Sequence, residues 1–244
     1  MNTETGSRAG GSDFRDTDPA DAPRPAGSRA ARPRDAATLI LLRRDAPRPR
    51  VLMGRRHGGH AFMPGKWVFP GGRVDRGDAR APAAIELRPE VRARLELRTP
   101  AASVRALGMA AIRETFEEAG LLLARPAEPR AAAGGWRAFL ALGALPDLGA
   151  LEFVARAVTP AYHPKRFDAR FFTADAERLL SLDRREGTGE LDEIAWFALE
   201  DARKLDLPAI TRFVLAEVER RLDGPERPVP FVRTLRGARD LQHL

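Results

Sequence analysis

Short apolar runs separated by turn-forming residues predict most of the strands of this chain. Residues 37–44 (ATLILLRR) and 51–56 (VLMGRR) are apolar runs on either side of the turn DAPRPR, and together they predict a β-hairpin. A glycine-rich loop follows at 57–65, and KWVFPGG (66–72) predicts a strand that ends at the Pro-Gly-Gly break. Further strands are predicted at 121–124, 151–159, 166–174 and 194–199.

Helical spacing of apolar residues predicts the helices between these strands. The clearest pattern covers 103–119, where Ser103 is a suitable N-cap residue and Gly120 follows as a C-cap glycine. Weaker helical patterns lie at 79–102, 136–145 and 208–222, and Pro89 interrupts the first of them. Because strands and helices alternate irregularly, we expect an α+β fold in which helices cover a mixed sheet.

Composition divides the chain into three parts. Residues 1–36 are rich in Gly, Ala, Pro, Arg and Asp, and Phe14 is their one large apolar side chain, so we expect a disordered N-terminal tail. Residues 37–224 then form one domain, and residues 225–244 are expected to be a basic C-terminal tail.

Charge and composition restrict the partners and the chemistry. The 244 residues carry a formal net charge of +7, but the arginines are spread along the chain, which favours a small anionic substrate over nucleic acid. No apolar stretch approaches the roughly 18 residues of a membrane span, and no secretory signal is present, which favours the cytoplasm. Cysteine is absent, so disulfides and thiolate metal sites are excluded. The chain could act as a homodimer.

Three carboxylates near the end of the strongest helix are the main candidate for chemistry. Glu114, Glu117 and Glu118 share one helical face directly after Arg113. They lie near the helix C-terminus, where the helix dipole disfavours negative charge, so a purely structural role would favour lysine or arginine there. Oxygen ligands without cysteine favour a hard divalent cation, Mg²⁺ or Mn²⁺.

At these residues the chain resembles the Nudix hydrolase superfamily. RETFEEAGL (113–121) is similar to the second half of the Nudix box, G-x5-E-x7-R-E-U-x-E-E-x-G-U, with Thr115 at an aliphatic position. The first half is matched from Gly72, and Asp78 stands where the pattern has glutamate. Between Asp78 and Arg113 lie 34 residues where the box has seven, which predicts an insertion within 79–105.

The insertion points to one branch of the superfamily, the coenzyme A diphosphatase-like enzymes. FMPGKWVFPGGRVD (62–75) and TPAYHPKRFDARFFTA (159–174) resemble segments of that branch. The resemblance implies the Nudix fold, a mixed sheet sandwiched between helices (α/β/α), with a helical insertion inside the box. It also implies Mg²⁺- or Mn²⁺-dependent hydrolysis of a nucleoside diphosphate linked to another moiety, X.

The resemblance also implies roles for individual residues. Glu117 and Glu118 match the principal metal ligands, Glu114 matches a ligand or general base, and the carbonyl of Gly72 would complete the metal shell. Arg113 would orient a carboxylate. Asp78 is one methylene shorter than glutamate, so the sequence leaves open whether it reaches Arg113.

Two groups of residues are weaker candidates. A further acidic ligand is expected from the loop before the strand at 194–199, with Glu190 preferred over Glu193 because it follows Gly189. Substrate phosphates are expected to meet Arg55, Arg56 and Arg166.

Three functions follow from this interpretation. The first is hydrolysis of coenzyme A or acyl-CoA to 3′,5′-ADP and (acyl-)phosphopantetheine. The second is hydrolysis of ADP-ribose or another nucleotide sugar. The third is a Nudix module that senses a ligand or binds nucleic acid without catalysis, which eroded glutamates would mark. Here Glu114, Glu117 and Glu118 are all present.

Overall fold

The computed structural model describes residues 30–59, 63–185, 187–222, 224, 227–235 and 238–244. The strands are β1 (Arg34–Arg43), β2 (Arg50–Arg56), β3 (Trp67–Val68), β4 (Gly71–Arg73), β5 (Ala124–Pro126), β6 (Ala144–Pro146), β7 (Glu152–Val158), β8 (Phe167–Asp175), β9 (Leu191–Ala198), β10 (Pro230–Leu235) and β11 (Ala238–His243). The α-helices are α1 (Pro89–Glu96), α2 (Ala101–Ala119), α3 (Trp136–Ala141), α4 (Leu199–Ala202) and α5 (Ala209–Leu222).

Nine of these strands form one mixed sheet, as expected. Its main order is β11-β10-β7-β8-β1-β2-β3, while β4 pairs with β1 and β9 pairs with β2. The β1–β8 and β7–β10 pairs are parallel and the other pairs are antiparallel. Strands β5 and β6 form a separate two-stranded sheet.

Helices cover both faces of the large sheet, which confirms the α/β/α sandwich. The sequence of strand β1 is almost continuously apolar because both of its faces are buried. Leu39 and Leu41 pack in the core beneath α1, α2 and α3, whereas Ile40 and Leu42 pack in the core beneath α4 and α5. A strand that is buried on both faces has no polar positions to alternate with. This two-sided burial fixes the position of α2 over β1 and β4.

The segment between the two predicted box halves contains α1 and the first turns of α2. Pro89 is the first residue of α1 rather than an interruption, because proline lacks an N–H where the helix has no acceptor for one. Helix α2 begins two residues earlier than predicted, after Pro100, so Ser103 lies inside the helix and caps nothing. Gly120 ends α2 with φ of 70°, as predicted for a C-cap glycine.

The C-terminal segment differs from the expected basic tail. Strands β10 and β11 pair as an antiparallel hairpin, and β10 joins the sheet beside β7. Val229, Phe231 and Val232 are buried, so apolar burial decides the structure despite the basic composition. At the other end β1 begins at Arg34 instead of residue 37, while residues 1–29 of the expected tail lie outside the described residues.

Two smaller predictions also require correction. Residues 121–123 are buried but belong to no strand: the carbonyls of Leu122 and Leu123 accept single hydrogen bonds from Leu180 and Asp147, and the predicted strand begins only at Ala124. The helix predicted to 145 ends at Ala141, since Gly143 takes φ of 69° and turns the chain into β6. Within the described residues, no helix has the length and apolarity to cross a membrane.

Candidate active site

The carboxylates at the end of α2 lie directly against the glycines of β4. The backbone N–H of Gly71 donates to Glu118 Oε2 at 3.0 Å. A Cβ atom added to Gly72 would lie 2.5 Å from the carboxyl carbon of Glu114. Only glycine therefore permits this approach, which brings the two predicted box halves together.

Arg113 links the two halves of the predicted box through its hydrogen bonds. Its side chain is 3% exposed, and it donates from Nε to Asp78 Oδ1 at 2.8 Å and from Nη2 to Asp78 Oδ2 at 3.1 Å. Nη2 also donates to the carbonyl of Arg73 at 2.9 Å. The shorter aspartate therefore does reach Arg113, in a two-pronged geometry that fits the guanidinium fork.

Asp78 is fully buried and receives further donors. The indole Nε1 of Trp136 donates to Asp78 Oδ1 at 2.9 Å, and the backbone N–H of Asp75 donates to Oδ2 at 2.7 Å. Gly135, the residue before Trp136, lets the chain pass close to Arg113, because a Cβ there would lie 2.8 Å from Arg113 Cδ. A buried carboxylate is tolerated when it is paired and hydrogen-bonded, as Asp78 is.

The outer nitrogen of Arg113 orients two of the three glutamates. Nη1 lies 2.7 Å from Glu117 Oε2 and 2.9 Å from Glu114 Oε1. Glu118 points instead towards Gly71. Sequence analysis predicted the orienting role of Arg113 for one carboxylate, and the structure places two within its reach.

Burial leaves these glutamates with uncompensated charge. Burial raises the pKa of Glu114 to about 7; Arg113 opposes this shift, and Glu117 and Glu190 add to it. Burial also raises the pKa of Glu118 well above its ordinary value, with Glu190 adding to the effect, and it raises the pKa of Glu117. The group therefore lacks positive charge, which an additional cation would supply.

The side chains are not arranged as a finished metal shell. Among the described residues, no three acidic or histidine side chains converge closely enough to hold an ion. Glu114 and Glu117 are turned towards Arg113 instead. Their chemistry fits a hard divalent cation, because all the donors are oxygens and the glutamates lack a full complement of positive charge.

Residues 184–185 and 187–190 lie in the loop that adds the fourth glutamate, Glu190. They pack on the C-terminal end of α2: Arg184 Nε donates to the carbonyl of Ala119 at 3.1 Å, and the N–H of Thr188 donates to the carbonyl of Glu117 at 2.8 Å. These contacts satisfy carbonyls that the end of a helix leaves without partners. A Cβ on Gly187 would lie 2.3 Å from the carbonyl oxygen of Glu118, so the loop approaches as closely as glycine allows.

Of the two acids proposed from this region, the geometry favours Glu190. It lines the same cavity as Glu114 and Glu117, and its charge contributes to the raised pKa of Glu118. Glu193 lies on β9 and pairs with Arg55 at 3.4 Å.

Only one of the three predicted substrate arginines lines the cavity. Arg56 does so, and its Nη1 lies 3.4 Å from Glu190 Oε1. Arg55, the next residue on β2, points to the other side and pairs with Asp192, because successive side chains of a strand alternate. Arg166 donates to the carbonyls of Thr159 and Ala31 and does not line the cavity.

A cavity of about 510 Å³ adjoins the carboxylates and extends over the α5 face of the sheet. Its acidic end includes Gly72, Glu114, Glu117 and Glu190. Apolar residues form much of the remainder: Ala36, Ala157, Ala169, Phe171, Ile210 and Val232. Ala169 and Phe171 belong to the stretch 159–174 that resembles the coenzyme A diphosphatase-like branch, whereas the other four carry no motif. The alternation of side chains along β1, β7 and β8 is the signal that could have grouped the residues of these strands.

Comparison with known proteins identifies the family. The NUDIX domain model matches residues 32–218. The chain belongs to the NUDIX domain family. A crystal structure of a NUDIX hydrolase from Alicyclobacillus acidocaldarius is similar to this chain with a TM-score of 0.56 and 31% identity, covering 76% of this chain and 90% of that one.

A curated relative of this Nudix domain is putative nudix hydrolase 7 of Caenorhabditis elegans. It is 29% identical over 177 residues, which cover 67% of this chain and 50% of the relative. This chain therefore spans about half the length of the curated relative. The family assignment confirms the predicted Nudix fold, a mixed sheet with helices on both faces.

Proposed function

We propose that this Nudix domain is a divalent-metal-dependent hydrolase that cleaves the diphosphate of a nucleoside diphosphate linked to X. We further propose coenzyme A or acyl-CoA as the substrate, with 3′,5′-ADP and (acyl-)phosphopantetheine as products. The observation that carries the proposal is the group of under-compensated glutamates, Glu114, Glu117 and Glu118, which contact Gly71, Gly72 and Arg113. Two of them, Glu114 and Glu117, line the cavity.

In this proposal Glu114, Glu117, Glu118 and Glu190, with the backbone at Gly72, would hold Mg²⁺ or Mn²⁺. Such a cation supplies neutralisation of the diphosphate and a lowered pKa for bound water. Glu114 is the proposed acceptor for the proton of the attacking water, because its side chain lines the cavity together with Glu117 and Glu190.

Two arginines have separate tasks. Arg113 is buried and keeps Glu114 and Glu117 in one orientation, so it is a positioning residue. Arg56 lines the cavity beside Glu190 and is placed to meet a phosphate oxygen of the substrate.

Choice of coenzyme A rests on the resemblance of residues 62–75 and 159–174 to the coenzyme A diphosphatase-like branch and on the long segment between Asp78 and Arg113. Several residues of the second stretch, among them Thr159, Lys165 and Phe171, line the cavity. Substrate contacts are therefore expected from both stretches.

A substrate panel tests the proposal. Purified full-length protein would be incubated with Mg²⁺ or Mn²⁺ and either coenzyme A, hexanoyl-CoA, ADP-ribose, NADH or a diadenosine polyphosphate, and the products would be separated by chromatography. We expect 3′,5′-ADP from the coenzyme A compounds, and loss of turnover in Glu117→Gln. If ADP-ribose were hydrolysed and the coenzyme A compounds were not, ADP-ribose would replace coenzyme A as the assigned substrate. Full activity of Glu117→Gln would overturn the metal-dependent mechanism.

A further inference from the structure

One row of cross-strand neighbours crosses the floor of the cavity. Arg73 of β4 pairs with Ala36 of β1, Ala36 with Ala169 of β8, Ala169 with Ala157 of β7, and Ala157 with Val232 of β10. All five residues line the cavity. Paired residues in adjacent strands project from the same face of a sheet, so the three alanines form the centre of a continuous floor.

Larger side chains border this floor. Phe167 and Phe171 lie two residues on either side of Ala169 on β8, so they share its face, and both line the cavity. Ile210, in the first turn of α5, contributes from above. The result is a trough that crosses the strands at right angles and is one residue wide on β8. Next to the row, on the neighbouring strands or directly after them, Thr38, Thr159 and Thr234 also line the cavity. Ala157 and Ala169 are only half-buried, so the trough is open above them.

The trough is long, and it is continuous with the candidate active site. Four strand spacings of about 4.8 Å separate Arg73 from Val232, which gives a length of roughly 19 Å. Arg73 is the neighbour of Gly72, over which Glu114 lies. A substrate whose diphosphate lay at the glutamates would therefore place its next moiety at the start of the alanine row.

We propose that this trough holds the moiety X, and that X is an extended and largely apolar chain such as the acyl-pantetheine arm of an acyl-CoA. The inference deepens the proposed function and rests on it. The side chains of Ala36, Ala157, Ala169, Phe167 and Phe171 offer no hydrogen-bond partner, and the polar side chains of the same cavity lie beside the three alanines rather than among them. A sugar seated on the row would lose water from the hydroxyl groups that face the floor, whereas a chain with long apolar segments gains from burial there and keeps its few amides near the bordering polar groups.

Two substitutions fill the trough and leave the glutamates in place. Ala169→Leu acts in the middle of the row and Ala157→Leu nearer to β10. Ala141→Leu is the matched control, because Ala141 is exposed on α3 and lies outside the cavity lining. Circular dichroism and melting temperatures would establish that all three variants are folded before any comparison.

Binding would first be measured by calorimetry in EDTA, with hexanoyl-CoA and ADP-ribose as the two probes. We expect the ratio of the two affinities to shift by about tenfold against hexanoyl-CoA in Ala169→Leu and Ala157→Leu, and to stay unchanged in Ala141→Leu. With Mn²⁺ present, the same shift is expected in KM, with kcat for hexanoyl-CoA less affected. Equal losses for both probes, or none, would overturn the inference.

The outcomes separate this inference from the proposed function. Hexanoyl-CoA that binds to the wild type and loses affinity in the trough variants, but is never hydrolysed, would leave the trough standing and refute the hydrolase. Hexanoyl-CoA that is hydrolysed equally by the wild type and by the trough variants would refute the trough alone.

Discussion

Asp78 and Glu118 are carboxylates of the same site with nearly equal burial, 0% and 3% exposed, and their surroundings differ sharply. Asp78 receives two donors from Arg113, the indole N–H of Trp136 and a backbone N–H. Glu118 receives the N–H of Gly71 and faces the charges of Glu114 and Glu190. A carboxylate with a full set of donors contributes to the fold, whereas one that lacks them is available to a cation.

The strongest test of the contrast removes Asp78. Asp78→Ala leaves the buried guanidinium of Arg113 without its main partner, and we expect it to lower the free energy of unfolding by about 3–5 kcal/mol. Urea unfolding in EDTA measures the loss. Asp75→Ala is the control, since that side chain is 54% exposed, and it should change little. Equal effects of the two variants would show that Asp78 is not the structural anchor.

The second test uses pH on the metal-free protein. The pKa of Glu114 is about 7 in the folded state against 4.5 ordinarily, so the unfolded chain releases this proton first as pH rises. Stability should therefore fall between about pH 4.5 and pH 7, by about 3 kcal/mol from this group, and stay level above.

Urea unfolding in EDTA at a series of pH values measures this effect. Glu114→Gln should make the fall in stability smaller, and replacing EDTA with an excess of Mn²⁺ should do the same in the wild type. An equally steep fall in Glu114→Gln would assign the effect to other groups.

A third test weakens the donor set of Asp78 without removing the ion pair. Trp136→Phe keeps the ring packing against Phe139 but deletes the indole N–H, and we expect a loss of about 1–3 kcal/mol in the free energy of unfolding. Trp67→Phe controls for the loss of an indole outside the site. If both variants lose the same stability, the contact between Trp136 and Asp78 adds nothing specific.

The smallest expected effect has the opposite sign. Glu118→Gln keeps an acceptor for the N–H of Gly71 and removes the buried charge, so the metal-free protein should gain on the order of 1 kcal/mol at pH 8. The rise in melting temperature on adding Mn²⁺ should shrink at the same time. Glu128→Gln, at an exposed position, should change neither quantity. If Glu118→Gln were less stable than the wild type and kept its response to Mn²⁺, Glu118 would be a structural carboxylate like Asp78 and not a cation ligand.

Local periodicity predicted the parts of this molecule that local forces determine. Strand β1 and helix α2 follow from their apolar patterns, and spacings of three and four residues place Glu114, Glu117 and Glu118 on one face. The family resemblance added Gly72 and Asp78, which periodicity alone could not have connected to α2 across 34 residues.

Contacts between distant segments were beyond sequence reasoning. Trp136 reaches Asp78 over 58 residues, and the sequence placed that tryptophan only at the start of a weak helical pattern. The alanine row depends on the register of five strands, and each of its members is unremarkable in its own strand. The β10–β11 hairpin was missed because its basic composition concealed the apolar residues that anchor it.

Residues 184–185 and 187–190 dock on the end of α2 mainly through their backbone. Arg185 and Thr188 donate main-chain N–H groups to the helix end, Arg184 adds one side-chain donor, and Gly187 provides the clearance. Many sequences of the same length could therefore occupy this position if the glycine is kept. The side chain at position 190 can therefore change without any change in α2, the helix that carries the other three glutamates.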